Sequence, residues 1–297
     1  MKNPIVSGYH ADPFVYRDGN DYYMVQTTET NGWEGSTFHC YHSTDLETWS
    51  EPAEILDVKK DVSWANRCAW APSLIKKDDH WYFVFVAEEQ IGIAVSDSPM
   101  GKYTDILNRP LITKEDYPKV FPIDPSLFMD VDGKTYLLFG NGRAMICEIF
   151  LSPNEVYLVG EAKCLSHDFF FQRSLNPNDR APWVYVEAPD LIRVGERYLL
   201  TWSCYDTRDP RYCIRYAWAQ RVTGPYIQPL DEDHDNILIH RKGEIQCTGH
   251  GNIFEKDGSL YLAYHRFALP RNDYYREICC DKVEFEDDLH LFVTPTR

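Results

Sequence analysis

The chain has 297 residues, 44% of them apolar, enough to bury a large core, and 46 acidic against 30 basic residues leave a formal net charge of −16 at pH 7. That charge disfavours nucleic acid and anionic membranes as partners, because nothing offers a basic patch to phosphates. No apolar run approaches the ~20 residues needed to span a bilayer, and Pro4, His10 and Asp12 interrupt the N-terminal stretch, which therefore does not read as a signal peptide.

The first element, DPFVYRDGNDYYMVQTT from Asp12, is a short apolar run, an Asp-Gly turn and a run rich in Tyr and Val. That is a hairpin signal, and FHCYHSTDLETW after it is further strand material. The pattern returns at APSLIKKDDHWYFVFVA from Ala71, followed by IGIAVSDSP, and at DPSLFMDVDGKTYLLFG from Asp124, followed by MICEIFLS. It returns again at APDLIRVGERYLLTWS from Ala188, followed by CIRYAWAQ, and at HGNIFEKDGSLYLAYHR from His250, followed by EICCDKVEF. A unit repeated every ~60 residues is the signature of a propeller or solenoid. Three to four short strands per unit and almost no helical periodicity predict an all-β chain, a five-bladed β-propeller. With no linker or low-complexity tract, it reads as one domain over residues 1–297. The nine cysteines include no CxxC pair, so free thiols in a reducing cytoplasm are expected rather than a zinc site or a disulfide framework.

In a propeller the first strand of each blade lies nearest the axis, so equivalent positions converge at one mouth of the channel. Alignment of the repeats makes Asp12, Ala71, Asp124, Ala188 and His250 equivalent. Glu187 stands one residue earlier in its blade and, by strand alternation, is expected to project differently from the two aspartates. Asp before Pro is common turn chemistry. Two such pairs in equivalent blades, with a Glu in a third, exceed it. Clustered carboxylates raise one another's pKa values, which helps function and not folding.

HADPF at 10–14, WAPSL at 70–74, IDPSLF at 123–128, VEAPDLI at 186–192 and GHGNIF at 249–254 together resemble glycoside hydrolase family 43. HSTDLETW and AVSDSPMGKY are similar to its blade-one and blade-two strands, and the resemblance spans essentially the whole chain. It implies the five-bladed propeller shared by α-L-arabinofuranosidases, β-xylosidases and arabinanases, and an inverting mechanism. By motif match Asp12 is the general base, Glu187 the general acid, and Asp124 the residue that tunes and orients the acid. Many exo-acting members have Glu-Gly-Pro where this chain has Glu187-Ala188-Pro189, a departure that bears on specificity. The resemblance also places an active-site arginine at Arg276. At His250 it implies calcium or another ion held by waters on the axis, structural or pKa-setting. No organic cofactor is implied.

Inverting hydrolysis needs an acid to protonate the leaving oxygen and a carboxylate on the opposite face to activate water, about 6.5–9.5 Å away. Asp124 and burial beside Pro189 and Trp183 are expected to raise the pKa of Glu187, while Asp12 needs a cationic neighbour such as Arg276 to stay ionised. Trp33, Trp70 and Tyr205 are the candidate sugar-binding aromatics. Asn66, Arg67, Asp206 and Arg208 are candidate hydroxyl contacts. A non-catalytic carbohydrate-binding propeller would lack one of the three carboxylates. An invertase-like retaining enzyme would carry Arg-Asp-Pro before its acid, whereas Arg208-Asp209-Pro210 follows Glu187. A phosphorylase would need a cluster of Arg, His and Lys. The reading is an exo-acting α-L-arabinofuranosidase on short oligosaccharides, with β-xylosidase and galactofuranosidase as alternatives; oligomeric state stays open.

Overall fold

The computed structural model describes residues 1–29, 33–166, 186–270 and 275–297, in which five antiparallel sheets of four strands follow one another along the chain. Blade one comprises β1 (His10–Asp18), β2 (Asp21–Thr28), β3 (Thr37–Ser43) and β4 (Ala53–Asp57), followed by one helical turn, α1 (Val58–Asp61). Blade two comprises β5 (Trp70–Lys77), β6 (His80–Ala87), β7 (Gln90–Ser96) and β8 (Thr104–Asp105). Blade three comprises β9 (Ser126–Met129), β10 (Thr135–Phe139), β11 (Met145–Ser152) and β12 (Glu155–Cys164). Blade four comprises β13 (Glu187–Val194), β14 (Arg197–Cys204), β15 (Cys213–Ala219) and β16 (Ile237–Ile239). Blade five comprises β17 (Gly249–Lys256), β18 (Ser259–Phe267), β19 (Arg276–Phe285) and β20 (Leu291–Val293). The first strands close a ring, β1 on β5, β5 on β9, β9 on β13, β13 on β17 and β17 on β1. This is the five-bladed propeller expected from the repeats.

The core is divided among the gaps between blades. Side chains alternate across a sheet, and here both faces are buried. In WYFVFVA of β6, Phe83 and Phe85 join Phe38 and Leu56 of blade one, while Tyr82 and Val84 join Leu137 and Phe139 of blade three. Leu200 and Leu199 of β14 divide in the same way between the blade-three and blade-five sides. Strands buried on two faces read as continuous apolar runs. The ring closes where Met24 of blade one meets Ile278 and Phe254 of blade five. There the N-terminal segment also bonds along β19: Ile5 N–H donates to Ile278 O at 2.9 Å, and Asn3 Oδ1 accepts from Cys280 N–H at 2.8 Å. All nine cysteines are free thiols, eight of them buried. No helix among the described residues is long and apolar enough to cross a membrane.

One backbone device recurs around the axis. Asp12, Ala71, Asp124, Ala188 and His250 have φ of 52°, 42°, 56°, 50° and 41°. In β1, β5, β13 and β17 the residue sits in a bulge that fits one extra residue against the second strand. A non-glycine residue in this region costs on the order of 1–2 kcal/mol, so the strain is concentrated at one mouth. Blade five shows why its histidine is flanked by glycines. A Cβ on Gly249 would lie 2.2 Å from the Tyr212 ring, and one on Gly251 1.8 Å from Ala263 O.

Candidate active site

The mouth where these five residues gather opens onto a pocket of 310 Å³ lined by Asp12, Asp124, Glu187, His250 and Arg276 among others, within the ~300–1,000 Å³ of small-molecule sites. The left-handed backbone at Asp124 overrides simple alternation: Ile123 and Asp124 are sequence neighbours yet both line it. Asp12, Asp124 and His250 also line the narrow axial channel beneath, together with Ala188, whereas Glu187 lines the pocket only.

The bulge N–H groups are satisfied across blades. Thr27 Oγ1 accepts from Ala71 N–H at 2.8 Å and donates to Asp12 Oδ2 at 2.8 Å. Ser203 Oγ accepts from His250 N–H at 2.9 Å, and His265 Nδ1 from Asp12 N–H at 3.2 Å. Thr27, Ser203 and His265 are equivalent positions near the ends of second strands, opposite Ala11, Glu187 and Gly249. Asp124 Oδ2 plays the same part for blade four, accepting from Ala188 N–H at 3.1 Å. It thereby fixes the backbone beside Glu187.

Asp12 is buried, and burial alone would push its carboxyl up. Arg276 Nη1 at 3.1 Å, with His250 and His265 behind it, reverses this and holds it well below the ordinary carboxylate range. His265 accepts the Asp12 N–H at Nδ1 and has Nε2 3.3 Å from Thr207 Oγ1. Burial keeps that imidazole neutral, its pKa lowered to about 3. Arg276 is a buried strut: Nε donates to Glu29 Oε1 at 2.6 Å, its N–H to Glu29 Oε2 at 2.8 Å and Nη1 to Thr207 Oγ1 at 3.1 Å.

Glu187 is treated in the opposite sense. Burial raises its pKa to about 7, the Tyr212 hydroxyl works against the rise, and the charges of Asp12 and Asp206 add to it. Tyr212 Oη donates to Oε1 at 2.5 Å and Asn141 Nδ2 to Oε2 at 2.7 Å. Tyr212 lies parallel to the His265 ring, centroids 5.5 Å apart, and paired backbone bonds with Phe121 hold Asn141. Asp124 is pushed well above its usual value, first by burial and then by Glu187 and Asp12. Burial and the charge of Asp12 therefore do more to raise the acid than the expected charge of Asp124. Trp183, expected beside the acid, lies outside the described residues, as do Asn31 and Gly32 of the Trp33 loop.

Trp33 and Trp70 line the pocket edge-to-face at 6.4 Å, and Trp70 Nε1–H donates to Trp33 O at 2.7 Å. Arg208 also lines the pocket, its guanidinium 5.3 Å from the Trp33 ring and bidentate on Asp206 at 2.7 and 2.6 Å. Tyr205 packs elsewhere. It is absent from the pocket wall because, at φ 72°, it turns its ring onto the packing around Tyr212 and Phe267, beneath Arg211. Arg67 points to the outer rim, where it pairs with Glu34 and Glu88 at 3.2 Å, and Asn66 N–H donates to Glu88.

The donor set around His250 does not make a calcium cage. Calcium takes six to eight oxygens, and His250 contributes imidazole nitrogens, with Nδ1 3.3 Å from Asp12 Oδ1. The axial channel holds 20 Å³, room for about one water. Its Asp190 is bonded to Ser126 Oγ at 2.5 Å.

Glu29, Thr27, Tyr212, Asn141, Thr207 and His265 complete the site and were not singled out in the sequence. Repeat alignment carries a signal for Thr27 and His265, polar residues at equivalent places in otherwise apolar second strands.

The family model described as "Glycosyl hydrolases family 43" matches residues 1–290. A β-D-galactofuranosidase of Aspergillus niger is 28% identical over 96% of this chain and 82% of its own length. A xylosidase/arabinosidase of Humicola insolens is 33% identical over 84% of this chain and 83% of its own. A β-xylosidase of Bacillus subtilis is 28% identical over 91% of this chain, which spans 50% of that longer protein. Among solved structures, a thermostable family-43 glycoside hydrolase superposes with a TM-score of 0.77 at 24% identity, covering 99% of this chain and 96% of that one.

Proposed function

The chain belongs to glycosyl hydrolases family 43 and is a glycosidase, and from that premise we propose that it is an inverting, exo-acting α-L-arabinofuranosidase. Its substrates on this reading are short oligosaccharides from plant polysaccharides. The observation that carries it is the opposite treatment of two carboxyls in one pocket. Arg276 keeps Asp12 ionised, while burial keeps a proton on Glu187 up to about pH 7. Asp12 in blade one and Glu187 in blade four are separated by blade five, which supports attack and protonation from opposite faces. Glu187 gives its proton to the glycosidic oxygen as the bond to the anomeric carbon breaks. Asp12 takes a proton from the water whose oxygen forms the new bond on the other face. Asp124 orients the acid through Ala188 N–H. Solvent then returns a proton to Glu187 and removes one from Asp12.

A pocket of 310 Å³ walled by Trp33, Trp70 and Phe121 suits a terminal sugar. His250 would hold an axial ion only through water, and no step passes through it. The free thiols support a cytoplasmic location. A galactofuranosidase is the second reading, favoured by the Aspergillus niger relative that matches nearly the whole chain. The two furanosides share ring stereochemistry and differ in the length of the exocyclic arm.

Initial rates on aryl α-L-arabinofuranoside, β-D-galactofuranoside and β-D-xylopyranoside test the assignment. The arabinofuranoside is expected to give the highest kcat/KM. Preference for another sugar overturns the substrate and leaves the chemistry standing. No hydrolysis of any aryl or natural glycoside overturns the enzymatic reading.

A further inference from the structure

We propose that Asp231, His234 and His290 form a surface site for a zinc-type divalent metal that clips the outer edges of blades four and five together. The segment DEDHD at 231–235 plays no part in the pocket. It lies between β15 and β16, while His290 lies in the turn between β19 and β20, and β16 and β20 are in contact. One donor atom from each of the three side chains falls within 4.8 Å of the others.

The case rests on how the imidazoles are aimed. His290 Nδ1 is 2.8 Å from Asp287 Oδ2, which holds that side of the ring and turns Nε2 the other way. That nitrogen is 3.6 Å from Asp231 Oδ2. A cation placed between this nitrogen and the carboxylate would be held by both. His234 meets the same carboxylate by its other nitrogen: Nδ1 is 2.8 and 3.0 Å from the two Asp231 oxygens, and Nε2 is 3.5 Å from Glu286. Each ring therefore directs one nitrogen at Asp231 and the other at a carboxylate that can orient it, the usual second partner of a metal-bound histidine.

The spacing agrees. Tetrahedral bonds of about 2.0–2.2 Å put ligand atoms roughly 3.3–3.5 Å apart, between the 3.0 Å of His234 to Asp231 and the 3.6 Å of His290 to Asp231. Two imidazoles and one carboxylate select zinc, cobalt or nickel over calcium or magnesium. The rings now stack at 3.8 Å and 15°, so one must tilt to bring both lone pairs onto an ion. His234, with 27% of its side chain exposed, has room to do so.

The test is titration of chelator-treated protein with zinc chloride in a calorimeter. One equivalent should bind, with affinity at least tenfold weaker in His290→Ala and in Asp231→Asn. It should be unchanged in His250→Ala and in His80→Ala, the latter an exposed histidine–carboxylate pair elsewhere. Cobalt chloride should give a tetrahedral d–d spectrum without thiolate charge-transfer bands, which excludes the cysteines as ligands. A hundredfold zinc excess over Kd should raise Tm by about 5 °C in the parent protein and leave it unmoved in His290→Ala. Absent heat, heat equal in all variants, or thiolate bands with cobalt would each overturn the site. If His290→Ala does not fold, His234→Gln makes the same comparison.

Discussion

Asp12 and Arg276, 264 positions apart, are joined by a 3.1 Å hydrogen bond on the pocket wall. Arg276 opens β19, the strand along which the N-terminal segment closes the ring at Ile278 and Cys280. Ring closure and the charge state of the proposed base thus depend on one strand. A single guanidinium, shared between Asp12 and Glu29, keeps two buried carboxyls paired.

Arg276→Met strands both carboxyls. Breaking a buried pair from one side costs about 3–5 kcal/mol, and that loss is expected in urea unfolding. Without Arg276, burial acts on Asp12 with its strongest opponent gone and its pKa rises. Residual kcat/KM should therefore lose activity on the acid side at a higher pH than the parent enzyme. An acid limb that does not move would show that Arg276 does not set the charge of Asp12.

The two carboxyls bracket a bell-shaped profile. Asp12 must be ionised, and its pKa is depressed, so the acid limb should fall below the ordinary carboxylate range. Glu187 must be protonated, so kcat/KM should decline above about pH 7. Tyr212 donates to Glu187 and favours its charged form. Tyr212→Phe should thus move the alkaline limb upward by about one unit, the worth of a hydrogen bond to a charged group. A downward shift would contradict the hydrogen-bond direction.

Legibility in the sequence followed distance along the repeat. Asp12, Asp124 and His250 could be aligned because each begins a blade with the same short motif, and rotation brings such positions together. Glu187 stood out as a carboxylate in an apolar stretch. The residues that hold these groups were hidden because their contacts cross blades. Glu29 looks like a loop glutamate until Arg276 arrives from blade five. Tyr212 reads as core until its hydroxyl meets Glu187. Tyr205 follows the end of β14 at φ 72°, a local backbone turn that residue type does not announce. The left-handed positions were likewise invisible, since no glycine marks Asp12, Ala71, Asp124 or Ala188.

Trp33 is 42% exposed, and it lines the pocket with Trp70. Trp33→Ala should raise KM roughly tenfold, at the upper end of the energy of an aromatic contact, with kcat nearly unchanged. Tyr205→Phe, away from the pocket wall, should alter neither. A fall in kcat alone for Trp33→Ala would argue against a binding role.

Calcium calorimetry after chelation examines the axial ion. Because His250 can hold calcium only through water, binding should be weak and should vanish in His250→Ala. No heat in the parent protein removes the axial ion from the reading and leaves the two-carboxylate chemistry intact.

The division of labour between Glu187 and Asp12 can be separated by leaving group. Protonation matters most when the departing alcohol is a poor leaving group. Glu187→Ala should therefore lose about 10²–10⁴ in kcat/KM on a natural oligosaccharide and much less on a nitrophenyl glycoside, whose phenolate departs without help. Asp12→Asn removes the base that activates water, so it should be nearly inactive on both. The order matters: if Asp12→Asn shows the leaving-group dependence instead, the two roles are exchanged. Stereochemistry then decides the mechanism. Proton NMR during the first minutes of hydrolysis should show the anomer opposite in configuration to the substrate, before mutarotation mixes the two. Retention in the first-formed sugar would mean a glycosyl-enzyme intermediate, and Asp12, held ionised by Arg276 at the pocket wall, would then be its nucleophile rather than a base.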